Sequence, residues 1–363
     1  MIESDNPSFS LEQYLSKGIE TLTKDILRAT QKHPAATTYY LRYARTAKKA
    51  ASRRQRSEKN GEHVPSFIIA SITGQCNLRC AGCYDHANHH CAENAKLRRD
   101  DWRRIFSEAE ALGISVILLA GGEPLMRRDV LEEAALQPAL LFPVFTNGTM
   151  LDDESIRLFS KHRNLIPIIS IEGDQTRTDA RRGDGIYART MKTMDRLRER
   201  NLLFGASITV TSENLLDVTS MDTASSLLAR GCKALVFVEY VPVESAELAL
   251  DDAKRDVLER GVASLRERNE MIVISFPGDE KESGGCLAAG RGFFHINAIG
   301  GVEPCPFSPY SDTNLRSASL KTALQSPLFI CLREEGALRM EHTGGCALFA
   351  QAEYVKELAS NDK

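Results

Sequence analysis

The sequence predicts an α/β fold in which a parallel sheet curls into a partial barrel, flanked by an N-terminal helical extension and a small C-terminal domain. Short β-branched runs alternate with amphipathic helices between residues 66 and 270. The runs show almost no alternation of apolar and polar residues, which is typical of parallel strands buried on both faces. This rhythm is absent before residue 66 and stops after residue 270, so the predicted domains are 1–65, 66–270 and 271–363.

Six strands carry the barrel prediction, because each is followed by a helix or a helix-bearing segment. Strands are expected at residues 66–72, 115–119, 142–145, 166–171, 204–211 and 234–240. Helices are expected at residues 101–112, 128–136, 153–161, 187–200, 216–230 and 251–269. Eight such units close the common barrel, so six indicate a partial (βα)6 TIM-like barrel. Beyond it, FFHINAIGGVEPC predicts a hairpin that turns at Gly300 and Gly301.

The composition is that of a globular protein without a membrane span. Hydrophobic residues at 42% and charged residues at 26% exclude global disorder, and no stretch approaches the roughly 18 apolar residues of a transmembrane helix. Since the N-terminus also lacks the basic and apolar regions of a secretory signal, we expect a cytoplasmic protein. A net charge of −3 gives no global reason to bind nucleic acid.

Basic residues crowd one part of the N-terminal extension. Residues 1–65 hold 12 Lys and Arg against 7 Asp and Glu, and most of these basic residues fall between positions 42 and 59. A basic helix of this kind can bind RNA or an acidic peptide. A solvated helix face is the commoner explanation, so nucleic acid is a disfavoured partner.

Polar and glycine-rich segments follow the predicted strands. TGQCNLRCAGCY, AGGEP, TNGT and EGD come after the first four strands, and the sixth ends at Glu239 and Tyr240. The carboxyl ends of parallel strands meet at one edge, where such folds carry their active sites. We therefore expect these segments to face one another across one mouth, with Glu239 and Tyr240 as candidate substrate contacts.

The nine cysteines fall into two groups. Four lie between residues 76 and 91, four lie between residues 286 and 346, and Cys232 alone is expected to be a buried hydrophobic residue. In a reducing compartment such groups indicate metal binding or catalysis rather than disulfides. Cys76, Cys80 and Cys83 place three thiolates on one loop, a donor set that suits an iron–sulfur cluster or zinc.

Zinc remains open on donor chemistry alone, because a structural zinc site needs only one more ligand. That ligand could come from just beyond the loop, at His86, His89, His90 or Cys91. Three thiolates on a four-iron cluster would instead leave one iron free to bind a small molecule.

The order of motifs resembles the radical S-adenosylmethionine (radical SAM) superfamily. The C-x3-C-x2-C loop follows the first strand, and Gly121-Gly122-Glu123-Pro124 follows the second. CNLRC, TNGT, SIEG and the RG-x-G segment add to the resemblance, which covers residues 66–240. Gly82 departs from the family, because an aromatic residue usually precedes the third cysteine, and here Tyr84 follows it instead.

The resemblance implies that Cys76, Cys80 and Cys83 ligate a [4Fe–4S] cluster whose open iron chelates the amine and carboxylate of S-adenosylmethionine. It implies further cofactor contacts from Tyr84, Gly121, Gly122, Glu123, Asn147, Ser170 and Arg182. An electron from reduced ferredoxin or flavodoxin would cleave S-adenosylmethionine to a 5′-deoxyadenosyl radical, which would abstract hydrogen from the substrate. No catalytic side chain is assigned beyond the cluster ligands.

The C-terminal cysteines resemble the SPASM and twitch domains, which hold auxiliary [4Fe–4S] clusters. Cys286-x13-Gly300-x4-Cys305 matches their opening, and Cys331 and Cys346 follow. A full SPASM domain carries more cysteines than these four, so a twitch-like domain with one auxiliary cluster fits better. A zinc site with four cysteine ligands is the alternative.

The resemblance implies an enzyme that oxidises, epimerises or cross-links a peptide or protein. The alternatives are a radical SAM enzyme that modifies RNA or a small molecule and, outside enzymes, a zinc-binding regulatory module.

Overall fold

A single nine-stranded sheet organises the chain. The computed structural model describes residues 10–88, 96–276, 284–334, 337–338 and 346–360. Seven strands run in parallel: β1 Phe67–Ser71, β2 Val116–Ala120, β3 Phe142–Thr146, β4 Leu165–Ile171, β5 Gly205–Val210, β6 Ala234–Glu239 and β7 Ile272–Phe276. The predicted partial barrel is therefore confirmed, with β7 as a seventh strand that the sequence analysis missed.

A hairpin extends the sheet beyond β1. Strand β8 (His295–Ile296) pairs in parallel with β1, and β9 (Val302–Glu303) pairs antiparallel with β8. The sheet order is thus β7-β6-β5-β4-β3-β2-β1-β8-β9. Gly300 adopts a φ of +95° in the turn, a conformation that glycine tolerates without strain. The predicted hairpin is present, and it attaches the C-terminal cysteine segment to the strand that precedes the cysteine loop.

Three phenylalanines draw the two ends of the parallel sheet together. The ring of Phe293 stacks on Phe67 of β1, with centroids 5.2 Å apart, and meets Phe276 of β7 edge-on at 5.5 Å. Phe293 is fully buried. Because β1 and β7 stand at opposite ends of the parallel order, these contacts show how strongly the sheet is curled.

Helices follow the strands, and most of them pack on the outer face of the sheet. They are α3 Tyr84–Asn88, α4 Arg99–Leu112, α5 Arg128–Ala135, α6 Asp153–Lys161, α7 Gln175–Arg182, α8 Ile186–Glu199, α9 Leu215–Val218, α10 Met221–Ala229 and α11 Asp252–Glu267. The helix expected over 216–230 is divided, because the Ser220 side chain accepts a hydrogen bond from Thr223 N and starts α10 as a new helix. Among the described residues, no helix is long and apolar enough to cross a membrane.

The N-terminal helices α1 (Leu11–Thr30) and α2 (Pro34–Lys59) pack on the inner face. Tyr40 and Tyr43 are fully buried in a core with inner-face residues of several strands. Tyr43 Oη donates to Ser115 O at 3.0 Å, and Tyr40 Oη donates to Arg163 O at 3.0 Å. Ser115 immediately precedes β2 and Arg163 lies two residues before β4, so α1 and α2 close the amino end of the barrel and leave its carboxyl end open.

Candidate cofactor site

The cysteine loop lies at the carboxyl end of β1. Cys76, Cys80 and Cys83 are half-buried, and Leu78 N donates to Cys76 Sγ at 3.4 Å. Burial, together with the nearby Glu123, Cys80 and Cys83, raises the pKa of the Cys76 thiol to about 11. The Cys76 thiolate would therefore be stabilised by a nearby cation, which is what a bound metal provides.

The residues around the loop fit a sulfur-rich cluster. Two N–H groups point at its sulfurs, since Asn147 Nδ2 lies 4.0 Å from Cys76 Sγ and Arg182 Nη1 lies 4.0 Å from Cys80 Sγ. Such donors are typical of iron–sulfur sites. No set of three or more Cys, His, Asp or Glu side chains in the described residues is arranged to hold a single metal ion. The fit to an iron–sulfur cluster therefore depends on the three cysteines sharing one loop and on the two N–H donors beside their sulfurs.

The zinc alternative gains little from the neighbouring histidine. His86 Nε2 lies 3.1 Å from Leu78 O, so this ring nitrogen already has a backbone partner within the loop. His89, His90 and Cys91, the other candidate fourth ligands, lie outside the described residues.

The two glycines after β2 allow a close approach of two backbones. Gly122 N donates to Thr73 O at 2.7 Å, and Glu123 N donates to Gln75 O at 2.8 Å. A Cβ on Gly121 would lie 2.2 Å from Thr73 O, and one on Gly122 would lie 2.1 Å from Gln75 O. The glycines are therefore needed to seat this loop against the cysteine loop, independently of any cofactor contact.

Glu123 joins the loop after β2 to the end of β3. Its carboxylate is fully buried and accepts from Thr146 Oγ1 at 2.7 Å, from Leu125 N at 3.0 Å and from Asn147 N at 2.9 Å. Burial raises the pKa of Glu123, and these hydrogen bonds and the charge of Arg182 oppose that rise. A carboxylate has about four acceptor positions, so one remains for a further donor.

Asn147 and Ser170 lie side by side on the rim. Thr146 pairs with Ile169 across β3 and β4, so Asn147 and Ser170 come next along the two chains. Asn147 Oδ1 accepts from Thr149 N at 2.9 Å, a turn contact, and its Nδ2 donates to Asn77 Oδ1 of the cysteine loop at 2.9 Å. Ser170 is half-buried on the inner face, where it pairs with Ser207 of β5.

A buried carboxylate that the sequence analysis missed organises the arginines. Glu172 follows β4, is 2% exposed, and through Oε1 accepts from Arg181 Nη1 at 2.6 Å and from Arg182 Nε at 2.8 Å. Arg181 also donates to Ala81 O at 3.0 Å. The end of α7 is thereby fixed to the cysteine loop. The sequence analysis assigned the EGD segment to the rim. The pairing of Glu172 with Arg181 and Arg182 depends on how α7 is oriented, which the sequence does not show.

Comparison with known proteins identifies this arrangement. Residues 70–219, which include the cysteine loop, the Gly-Gly-Glu turn and α7, match the family model of the Radical SAM superfamily. The chain contains a radical SAM domain. It is accordingly an enzyme that uses S-adenosylmethionine and a [4Fe–4S] cluster.

Relatives extend the similarity beyond the radical SAM domain. The AdoMet-dependent heme synthase of Methanosarcina barkeri (strain Fusaro / DSM 804) is 27% identical over 82% of this chain and 91% of its own length. The antilisterial bacteriocin subtilosin biosynthesis protein AlbA of Bacillus subtilis (strain 168) is 25% identical over 84% of this chain and 70% of its own length.

Solved structures share the fold. Streptococcus suis SuiB bound to precursor peptide SuiA superimposes with a TM-score of 0.65 at 18% identity, covering 85% of this chain and 77% of that chain. This likeness confirms the curled sheet of the radical SAM domain and its flanking helices.

Two tyrosines surround the third cysteine of the radical SAM domain. Tyr84 begins α3, and its ring meets Phe307 edge-on with centroids 5.2 Å apart. At Gly82, a Cβ would lie 2.8 Å from Cε2 of Tyr240, which follows β6 and is buried. The aromatic ring next to position 82 therefore comes from another strand, and the missing side chain of Gly82 makes room for it.

Glu239 does not face the mouth, contrary to the sequence-based expectation. It accepts from Arg255 Nε of α11 at 2.7 Å, on the outer face of the sheet. Successive side chains of a strand point to opposite faces, and Val238 occupies the inward position, so Glu239 must point outward. Tyr240 is the residue of this pair that contacts the cysteine loop.

Three of the four C-terminal cysteines converge. Cys286 and Cys305 are buried, and burial raises the pKa of Cys305, as do a hydrogen bond with Cys346 and the charge of Cys286. Cys331 lies half-buried on the helix Pro327–Glu334. Burial raises the pKa of Tyr84, and the nearby Asp85, Cys83 and Cys305 also raise it. Tyr84 is therefore close to both cysteine groups.

A buried network couples the C-terminal segment to the radical SAM domain. In His295 of β8, Nε2 lies 2.8 Å from Ser71 Oγ, and Nδ1 lies 2.6 Å from Glu303 Oε2. All three residues are almost fully buried. Ser71 ends β1 and Glu303 ends β9, so the network fixes the hairpin, and Cys305 just beyond it, relative to the cysteine loop.

Proposed function

We propose that the protein is a peptide-modifying radical SAM enzyme with one auxiliary [4Fe–4S] cluster. The observation that carries the proposal is the direct attachment of the C-terminal cysteine group to β1, the strand that leads into the radical SAM cysteine loop. Cys286, Cys305, Cys331 and Cys346 are proposed as ligands of the auxiliary cluster. We propose the division 1–65, 66–270 and 271–363, with β7 at the start of the third segment added to the sheet of the barrel.

In this proposal Cys76, Cys80 and Cys83 hold the cluster, and its bound S-adenosylmethionine is contacted by Gly121, Gly122, Glu123, Asn147, Ser170, Arg182 and Tyr84. The cluster and S-adenosylmethionine supply reductive cleavage and hydrogen abstraction. Glu123 has one acceptor position left for the cationic amine, and the polar rim of β3 to β5 suits the remaining groups of S-adenosylmethionine.

The inner face offers a different surface to the substrate. Val238 of β6 and Ile274 and Phe276 of β7 face inward and are not fully covered, and Ile274 is 38% exposed. This apolar wall stands beside the polar rim, while α1 and α2 exclude water from the amino end. An apolar amino-acid side chain in an extended peptide fits such a wall, with its reacting C–H bond turned toward the rim.

The comparisons support a peptide, since a bacteriocin biosynthesis protein is a relative and SuiB was solved with a precursor peptide. A small-molecule substrate is the second candidate, because the heme synthase matches along almost its full length. As electron donor we propose reduced ferredoxin or flavodoxin, and as compartment the cytoplasm, where thiolates stay reduced.

Deuterium transfer tests the proposal. The reconstituted protein is incubated anaerobically with S-adenosylmethionine, a low-potential donor and candidate peptides encoded beside its gene, each uniformly deuterated. We expect deuterium in 5′-deoxyadenosine and a matching mass change in one peptide, both lost in Cys80→Ala. Peptide modification would be contradicted if 5′-deoxyadenosine took up deuterium only from a labelled small molecule, or if no peptide transferred deuterium to it.

A further inference from the structure

Two largely buried arginines lie beside the cysteine loop. The side chains of Arg181 and Arg182 are 18% and 11% exposed, and both pair with Glu172, which is 2% exposed. Every contact that the two guanidinium groups make with Glu172 falls on its Oε1. Two cations therefore share one carboxylate in direct contact, and besides the more distant Glu123 it is the cysteine loop that supplies counter-charge to Arg182.

Arg182 is oriented toward that counter-charge. Its Nε and Nη2 contact Glu172 at 2.8 and 2.6 Å, while Nη1 lies 4.0 Å from Cys80 Sγ. Arg181 instead uses its nitrogens on Glu172, Thr209 Oγ1 and the carbonyl of Ala81. Of the two arginines, Arg182 is thus the one directed at a sulfur.

We propose that Arg182, oriented by Glu172, raises the reduction potential of the cluster held by Cys76, Cys80 and Cys83. An oxidised [4Fe–4S]2+ core with three thiolates carries one net negative charge, and one electron from a low-potential donor makes it two, without a bond or proton change. A fixed guanidinium beside Cys80 stabilises the more negative, reduced form. The inference rests on the proposed ligation by these cysteines.

The carboxylate partner predicts an effect of opposite sign. Glu172 orients Arg182, yet its own negative charge partly cancels that of the guanidinium and so disfavours the added electron. Removing the charge of Arg182 should therefore lower the potential, and removing the charge of Glu172 should raise it. If the pair had only a structural role, removing either charge would loosen the cysteine loop. The reduction potential would then shift in the same direction in both variants.

The experiment is an anaerobic redox titration followed by electron paramagnetic resonance, without S-adenosylmethionine, so that cofactor contacts do not contribute. The signal to follow is the one that Cys80→Ala removes. In Arg182→Gln we expect the ratio of reduced to oxidised cluster at a fixed potential to fall about tenfold, which is about 59 mV for one electron. In Glu172→Gln we expect a rise, and in Arg182→Lys a value near that of the wild type.

Arg177→Gln is the matched control, since it removes the same charge from α7 at a residue that pairs with Asp174 and Asp217. Its potential should equal that of the wild type. Unchanged potentials in Arg182→Gln, or shifts of the same sign in Arg182→Gln and Glu172→Gln, would overturn the inference. If Arg182→Gln fails to retain the cluster, the test depends on Glu172→Gln alone. An unchanged or lowered cluster potential in Glu172→Gln would then refute the inference. A wild type without a Cys80-dependent cluster would refute the proposed function instead.

Discussion

Glu123 is a buried carboxylate with a structural role and a proposed cofactor-binding role. Its oxygens already accept three hydrogen bonds from the ends of β2 and β3, and its last acceptor position is proposed for the amine of S-adenosylmethionine. The structural duty means that any substitution here disturbs folding as well as binding. The two effects must be measured separately.

Glu123→Gln should lower the affinity for S-adenosylmethionine about ten- to a hundredfold, because one charge-assisted hydrogen bond is lost. It should also lower the free energy of unfolding by about 1–3 kcal/mol, since a buried amide N–H then faces protein donors. Cofactor titration of the reconstituted protein and thermal melts measure the two effects, and cluster content should not change.

Glu133→Gln is the matched control for this prediction. Glu133 is 1% exposed and accepts from Arg99 and Arg103, on α5 rather than on the rim. Its substitution should reduce stability and leave the affinity for S-adenosylmethionine unchanged. Equal affinities of wild type and Glu123→Gln would reject the cofactor role of this carboxylate.

Arg54 shows that a basic run in a sequence can conceal a structural residue. Its side chain is 1% exposed, donates to Gly113 O at 2.6 Å and to Ser16 Oγ at 2.8 Å, and lies 4.0 Å from Glu12. Arg54→Met leaves these partners buried without it, so the free energy of unfolding should fall by about 3 kcal/mol. The exposed Arg56→Met should change it by less than about 0.5 kcal/mol. Denaturant unfolding of both variants is the measurement, and equal stabilities would contradict the role of Arg54.

At the scale of elements, periodicity predicted six strands and missed the seventh. Strand β7 has only five residues, and its Ile-Val-Ile-Ser-Phe follows a helix without a recognisable helix after it. Its assignment depends on pairing with β6, which is a tertiary contact. The hairpin was predictable because Gly300 and Gly301 mark its turn locally.

The candidate site was predictable where function requires a residue type, and less so where a side chain needs a partner. The cysteines, Gly121, Gly122 and Glu123 follow strands in recognisable motifs. The pairing of Glu172 with Arg181 and the position of Tyr240 against Gly82 join segments far apart in the chain. Glu239 was predicted at the correct strand end but on the wrong face of the sheet. Which residues of β6 point inward is known only once the strand is seen in the sheet.

The basic face of α2 lies at the amino end of the barrel, whereas the cysteine loop follows a carboxyl end. A five-residue strand separates the two by about 16 Å. Arg45, Lys49 and Arg56 are exposed on this face. Their triple substitution by Glu should leave substrate affinity and turnover unchanged at low and high salt. A loss of affinity that depends on salt would instead indicate an anionic substrate such as RNA on this helix.

At the scale of the whole molecule, the β1–β8 pairing and the network of His295 hold the two cysteine groups in one body. Replacing Cys76, Cys80 and Cys83 by Ala should abolish formation of 5′-deoxyadenosine. Replacing Cys286, Cys305, Cys331 and Cys346 should leave some uncoupled cleavage and abolish the modified product, because these residues hold only the proposed auxiliary cluster. Chromatography with mass detection quantifies both compounds.

Cys232→Ala is the control for the two cysteine groups, since Cys232 is fully buried in the sheet and its Sγ contacts Ala234 O at 3.1 Å. It should retain both activities. Persistent 5′-deoxyadenosine in the variant without Cys76, Cys80 and Cys83 would contradict the assignment of the loop.

The metal content of the protein tests the assignment of the two cysteine groups most directly. Seven cysteines in groups of three and four should hold two [4Fe–4S] clusters after anaerobic reconstitution, or about eight irons per chain. Iron and zinc are determined together on the same sample, with spectra to confirm the cluster type. About eight irons with negligible zinc is the predicted result, and stoichiometric zinc with little iron would contradict it.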